Sequence, residues 1–335
     1  MRGERIQTLS ALGNALMAQG RFPEAETVYR RALGLAEVEF KPNDSELAGR
    51  MADLAMSLNG QARRAEAESL LRRSIAIERA ANGDDHPRVA TPLGNLATVL
   101  IDLGRLEEAE RLTREALAIQ QARLPSPHPR TASTINNLAA VLLRSGRPEQ
   151  AETLLRQSLA MKRALYGDRH PMIAGSLLNL AGAIDARGDA EASLPLKREA
   201  LDILVTTAGP GHPTVATAYN NIGVSLHLLG RHRESLAAYE AALVIRRAKL
   251  GPAHPLTASS LAKGAQCLLE LRRYQEAEGR FREAFLAYQP RKQEEAGQWD
   301  HLLGQMARLY RATGREAEAR RYESLRIQPR DSSAT

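Results

Sequence analysis

Apolar residues in the middle of the chain recur with helical spacing, and the pattern is interrupted at regular intervals. Ile135, Leu138, Ala139 and Leu142 fall at i, i+3, i+4 and i+7, which is one face of an α-helix. Ser145-Gly146-Arg147-Pro148 ends that run. Glycine suits the left-handed residue that closes a helix, and proline suits the first turn of the next. Ala151, Leu154, Leu155, Ser158 and Leu159 then draw a second apolar face. A polar loop, Leu165 to Arg169, follows. The segment predicts two antiparallel helices joined by a tight turn.

The same unit returns along the chain. His-Pro stands at His86, His128, His170, His212 and His254, 42 residues apart each time. Turn positions keep the same period at Gly20, Ala62, Gly104, Gly146, Gly188, Gly230, Arg272 and Gly314. Eight hairpins therefore fit the chain without insertion or deletion between turns. One column of small residues reads Gly13, Ala55, Ala97, Ala139, Ala181, Gly223, Ala265, Ala307. A second runs from Ala25 to Ala319 with Ser193 and Ser235 within it, and a third from Ala32 to Ala284. Small residues at a helix crossing let the axes approach closely. Arg326 breaks the third column in the last hairpin, where no further unit would cover it. A terminal repeat is expected to differ in this way.

These columns, with Asn136-Asn137-Leu138-Ala139, Gly146-Arg147, Ala151-Glu152 and His128-Pro129, resemble the tetratricopeptide repeat. The long period resembles the subtype of kinesin light chains and their bacterial relatives. The resemblance implies an all-α fold, a right-handed α-solenoid (superhelix) of eight hairpins. It covers residues 1–327 as a single solenoid, with 328–335 expected to be a disordered tail. It gives no heptad coiled coil, so attachment to a motor is not implied.

The resemblance also implies a concave groove lined by first helices, with the sixth residue of each pointing into it. That position reads Ala11, Asp53, Asn95, Asn137, Asn179, Asn221, Lys263, Gln305, and Asn136 and Asn220 stand one residue earlier. An asparagine side chain both donates and accepts, so such a ladder suits the backbone of an extended peptide. It equally suits hydrogen bonds that fix the stacking of repeats, and the sequence leaves both open. Arg144 and Lys263 are isolated cations beside the ladder and do not make a full carboxylate clamp. The candidate groove residues are thus Asn95, Asn136, Asn137, Asn179, Asn220, Asn221, Arg144 and Lys263.

The remaining chemistry has quieter readings. Histidines one per repeat cannot converge on one metal ion; they read as helix-end groups before Pro. The 335 residues carry a net charge of +7 with only 4% aromatics. Much of the positive charge is matched by Glu-to-Arg pairs at i, i+4: Glu26–Arg30, Glu68–Arg72, Glu110–Arg114, Glu152–Arg156 and Glu278–Arg282. Each such pair supports a helix by about 0.2–0.5 kcal/mol. Nucleic-acid binding, which wants unpaired cations and stacking aromatics, is the lesser reading. Arg246-Arg247-Lys249 and Arg272-Arg273 read as unpaired clusters that favour an acidic protein partner. Cys267, the single cysteine, reads as a buried small residue.

No phosphate loop, dinucleotide fingerprint, zinc-protease or nucleophile-elbow motif occurs, so the expectation is no enzyme, no cofactor and no metal. With no long apolar run, no membrane span is expected, and a cytoplasmic location is. The function expected is a scaffold that binds an extended peptide or a partner helix in the groove. The alternative is a module that regulates a separately encoded enzyme in trans.

Overall fold

The computed structural model describes residues 2–326, and every long element in them is an α-helix. The expected tail, 328–335, lies outside the described residues. The chain divides into two compact units, Met1–Gly167 and Asp168–Thr335.

The first unit holds four hairpins: α1 (Arg2–Ala18) with α2 (Phe22–Glu39), α3 (Ser45–Gly60) with α4 (Arg64–Asn82), α5 (Pro87–Asp102) with α6 (Leu106–Arg123), and α7 (Pro129–Arg144) with α8 (Pro148–Tyr166). Each helix packs on its successor, and α1, α3, α5 and α7 also touch in sequence. First helices therefore form one continuous layer in this unit. The second unit repeats the plan: α9 (Pro171–Ala186) with α10 (Ala190–Ala208), α11 (Pro213–Leu228) with α12 (His232–Leu250), α13 (Pro255–Glu270) with α14 (Tyr274–Tyr288), and α15 (Ala296–Ala312) with α16 (Glu316–Ser324). A 3₁₀ turn at Gln289–Arg291 replaces the regular loop before α15.

Local chemistry explains the boundaries. Each His of a His-Pro pair is the N-cap of a first helix. Its Nδ1 accepts a hydrogen bond from the backbone N–H two residues on, at 3.2 Å for His86, 3.1 Å for His128 and 3.1 Å for His254. The following Pro occupies the first turn, where its missing N–H is no loss. At the hairpin turns the backbone enters the left-handed region: Gly146 has φ 72°, and Ala62 and Arg272, which stand where six units have glycine, adopt φ 61° and 60°.

The small columns lie fully inside, with Ala55, Ala139, Ala181 and Ala265 wholly buried. In the second unit the column residue Ser193 approaches Ser225 at 3.2 Å, and Ser235 approaches Cys267 at 3.2 Å. Lys197, also buried, donates to Asp185 and Ser225. Cys267 is buried as expected. The last hairpin gathers aromatics instead. Phe285 meets Trp299 with ring centroids 4.8 Å apart, and Tyr310 stacks on Tyr322 at 5.3 Å.

The Glu-to-Arg pairs within helices are present, but they are half of the arrangement. Glu26 also holds Arg63 at 2.7 Å, Glu68 holds Arg105 at 2.8 Å, and Glu278 holds Arg315 at 2.9 Å; Glu110 holds Arg147 likewise. Each glutamate thus links its own helix to the next hairpin. Burial raises the Glu68 carboxyl, yet the hydrogen bonds from Arg72 and Arg105 outweigh it and hold the group below the usual range. The expected unpaired clusters are corrected at Arg246, Arg247 and Arg273. Arg246 is buried and donates to the Leu256 carbonyl at 2.9 Å and Ser260 Oγ at 2.7 Å. Arg247 pairs with Glu283, and Arg273 with Glu276 at 2.7 Å. Hairpin stacking brings Glu283 to Arg247 from 36 residues away and sets Leu256 and Ser260 of the next first helix against Arg246, whereas Glu276 sits one turn on from Arg273.

Candidate binding face

The first helices bury one face against their hairpin partners and turn the other outward. On α7 the outward residues are Ser133, Asn137, Ala140 and Arg144, all exposed. On α9 they are Gly175, Asn179, Gly182 and Ala186, again all exposed. The spacing i, i+4, i+7, i+11 is one stripe of a helix. Asparagine is therefore the tallest uncharged side chain on each stripe, flanked by very small neighbours.

The ladder residues differ in what they do within each unit. In the first unit, Asn95 is partly exposed and Asn137 exposed, and neither makes a side-chain hydrogen bond among the described residues. Asn136 lies deeper, with its Oδ1 buried and without a partner there. Arg144 reaches the Ile101 carbonyl at 3.4 Å. Asp53, one step earlier in the column, has its carboxyl raised by burial, against the pull of Arg50 at 3.7 Å. In the second unit, Asn179 is exposed and makes no side-chain hydrogen bond among the described residues. Asn220 is buried and takes a different part: its Oδ1 accepts from Lys263 Nζ at 3.4 Å and its Nδ2 donates to Asn221 Oδ1 at 3.5 Å. Lys263 also lies over the Tyr239 ring, 6.0 Å from its centroid. Burial lowers the Lys263 ammonium, and the nearby Arg246 adds to the effect.

Glycines mark the same helices. A methyl group built on Gly94, Gly175 or Gly182 would meet nothing within 4 Å. These residues stand inside helices, where glycine costs about 0.5–1 kcal/mol against alanine. Packing within the unit does not demand them. Gly94 adjoins Asn95, and Gly175 and Gly182 bracket Asn179.

The signature of the tetratricopeptide repeat matches residues 4–77, 46–122, 130–204 and 214–289. The chain belongs to the tetratricopeptide repeat family. Among solved structures, this repeat protein is similar to BtubC (BKLC) from P. vanneervenii, at 26% identity and TM-score 0.54, covering 62% of this chain and 83% of that one. It is similar to the nearly identical TPR-like repeats of a Podosopora anserina protein described as a kinesin light chain, at 22% identity and TM-score 0.52, covering 62% and 98%. It also shares its fold with a Rap protein complexed with Competence and Sporulation Factor, at 11% identity and TM-score 0.59, covering 96% of each chain. No curated protein matches the chain. Among the described residues no helix is long and apolar enough to cross a membrane.

The column of Asn95, Asn137 and Asn179 was legible from the 42-residue period alone. What the period did not reveal is that Asn220 turns inward while its neighbour Asn221 is only partly covered. The change of Asn to Lys263 one unit later was the available signal, since an ammonium needs an acceptor within reach.

Proposed function

We propose that the repeat protein binds an extended segment of a partner protein against the outward stripes of its first helices. The observation that carries this reading is the set of asparagines with no partner of their own. Asn95, Asn137 and Asn179 each present a donor and an acceptor and use neither inside their unit. A peptide main chain offers the complementary pair at every residue. The open space at Gly94, Gly175 and Gly182 lets such a main chain come close to the helix surface. The neighbour complexed with Competence and Sporulation Factor is consistent with this use of the fold. Regulation of a separately encoded enzyme would use the same face and would show as a change in that enzyme's activity on adding the chain.

A displayed library of random peptides, selected on the full chain, supplies a binding probe. The selected peptide should bind the Asn95→Ala/Asn137→Ala variant, both changes lying in the first unit, more than about tenfold more weakly, since two polar contacts of about 1 kcal/mol each are lost. The variant's melting should stay unchanged or rise, because alanine is the better helix former. Undiminished peptide binding together with a large fall in melting temperature would assign the asparagines to internal packing and overturn the reading.

A further inference from the structure

In the second unit, the start of α11, the end of α12 and the start of α13 border a cavity of about 220 Å³. Pro213, Ile245, Leu250 and Leu256 give it apolar walls, and Arg246, Lys249 and His254 stand among them. No acidic residue lines it. Arg246 is 5% exposed, and an arginine buried that far is ordinarily paired with a carboxylate. Its Nη1 donates to the Leu256 carbonyl and to Ser260 Oγ, both neutral. Among the described residues its Nε and Nη2 make no hydrogen bond, and neither is sealed from contact. Lys249 is exposed and likewise pairs with no carboxylate among the described residues. His254 accepts a backbone N–H at Nδ1, so its neutral ring carries the proton on Nε2, which is left to donate. Packing does not require a cation at Arg246: the same position is Leu204 one hairpin earlier and Tyr288 one hairpin later.

We infer that this cavity binds a phosphomonoester. Two cations stand at it without counter-charges, and a phosphomonoester carries about −1.5 to −2 at neutral pH. The oxygens of the dianion only accept, which suits the free N–H groups of Arg246, the ammonium of Lys249 and the Nε2–H of His254. A carboxylate would bring a single charge and leave one cation unmatched. A buried guanidinium without a counter-ion is unfavourable, and the arriving dianion relieves that cost. The apolar walls suit the carbons next to the ester oxygen. The volume is below the roughly 300–1,000 Å³ of sites for larger ligands, so it admits the phosphate with a short carbon stem. A free phosphorylated metabolite and a phosphorylated side chain of a partner share this chemistry. The site lies wholly in the second unit and does not rest on Asn95, Asn137 or Asn179.

Calorimetry on the full chain, at neutral pH in chloride buffer of matched ionic strength, tests it with propyl phosphate and propyl sulfate, alike in shape and unlike in charge. Propyl phosphate should bind more than about fivefold tighter than propyl sulfate, since its second negative charge has a second cation to meet. Lys249→Gln should remove most of that preference, and Arg246→Gln should abolish binding of both esters. Lys249 is exposed, so its variant keeps the test decisive if Arg246→Gln folds poorly. Equal affinity for the two esters, binding unchanged by Lys249→Gln, or no heat from propyl phosphate at roughly 10 mM would overturn the inference. A phosphoserine set in a short run of alanines, capped at both ends, identifies the source. Binding tighter than that of propyl phosphate marks a phosphorylated side chain, and weaker binding marks a free phosphomonoester; both support the site when Lys249→Gln weakens them. The Asn95→Ala/Asn137→Ala variant should bind propyl phosphate as the unaltered chain does, so failure of the peptide reading and failure of this one are separable.

Discussion

Gly223 on α11 faces the ring of Tyr239 on α12 so closely that a Cβ on Gly223 would lie 2.7 Å from a ring carbon. Gly13 meets Tyr29 in the same way in the first hairpin. Units with alanine in this column carry Leu71, Thr113, Leu155, Lys197, Phe281 or Glu323 at the facing position. The pair is one packing solution, a large flat ring against a bare backbone.

Gly223→Ala should therefore destabilise the second unit by about 1–2 kcal/mol, overpacking outweighing the gain in helix propensity. In a Tyr239→Leu background the same change should be neutral or stabilising. Denaturant unfolding of the four species measures the coupling. Additive effects would show that the ring and the glycine do not constrain each other.

Arg272 holds a left-handed backbone, φ 60°, at an exposed turn where most units use glycine. A side chain there costs about 1–2 kcal/mol relative to an unstrained residue. Arg272→Gly should raise stability by about 1 kcal/mol, reduced by the greater freedom of glycine when unfolded. Thermal unfolding measures this; a fall in melting temperature would mean that the arginine side chain holds the turn.

The contrast between these features shows how far a repeating sequence can be read. Helices, turns and the His-Pro caps follow from neighbours in sequence, so the pattern around Ser145–Pro148 predicts them directly. The small columns predict close crossings because a constant period keeps each residue in register. Glu68 is different: its bond to Arg72 is local, whereas its bond to Arg105 exists only once two hairpins are stacked. The cavity beside Arg246 is further still from the sequence, since its walls come from α11, α12 and the start of α13. Of the candidate site residues, the exposure of Asn137 and Asn179 followed from helix phase. The inward turn of Asn220 depended on a lysine 43 residues away.

His227 on α11 packs its ring against His232 with centroids 5.1 Å apart, and its Nδ1 lies 3.6 Å from Cys267 Sγ. Burial lowers its pKa below the ordinary 6.5; the charge of His232 and that of Arg308 add to this, while Glu270 opposes it. The unfolded chain then binds a proton at a pH where the folded one does not, so stability falls as pH drops below about 6.5. The loss continues until the folded group itself titrates. Melting temperature should decline from pH 7 to pH 5, and His227→Gln should flatten that decline. A slope unchanged in the variant would assign the acid sensitivity to other groups.

Amide signals of a nitrogen-labelled, deuterated sample, the asparagine side chains among them, test peptide binding at the asparagine stripes most directly when the selected peptide is titrated in. Asn95 and Asn137, both in the first unit, should shift early and in proportion to occupancy. Asn59, whose Nδ2 already donates to Asp102 at 3.2 Å, should hold still. Silence at Asn95 and Asn137, with shifts confined to second-helix residues such as Arg114 and Arg156, would place the partner on the opposite layer and contradict binding at the asparagine stripes.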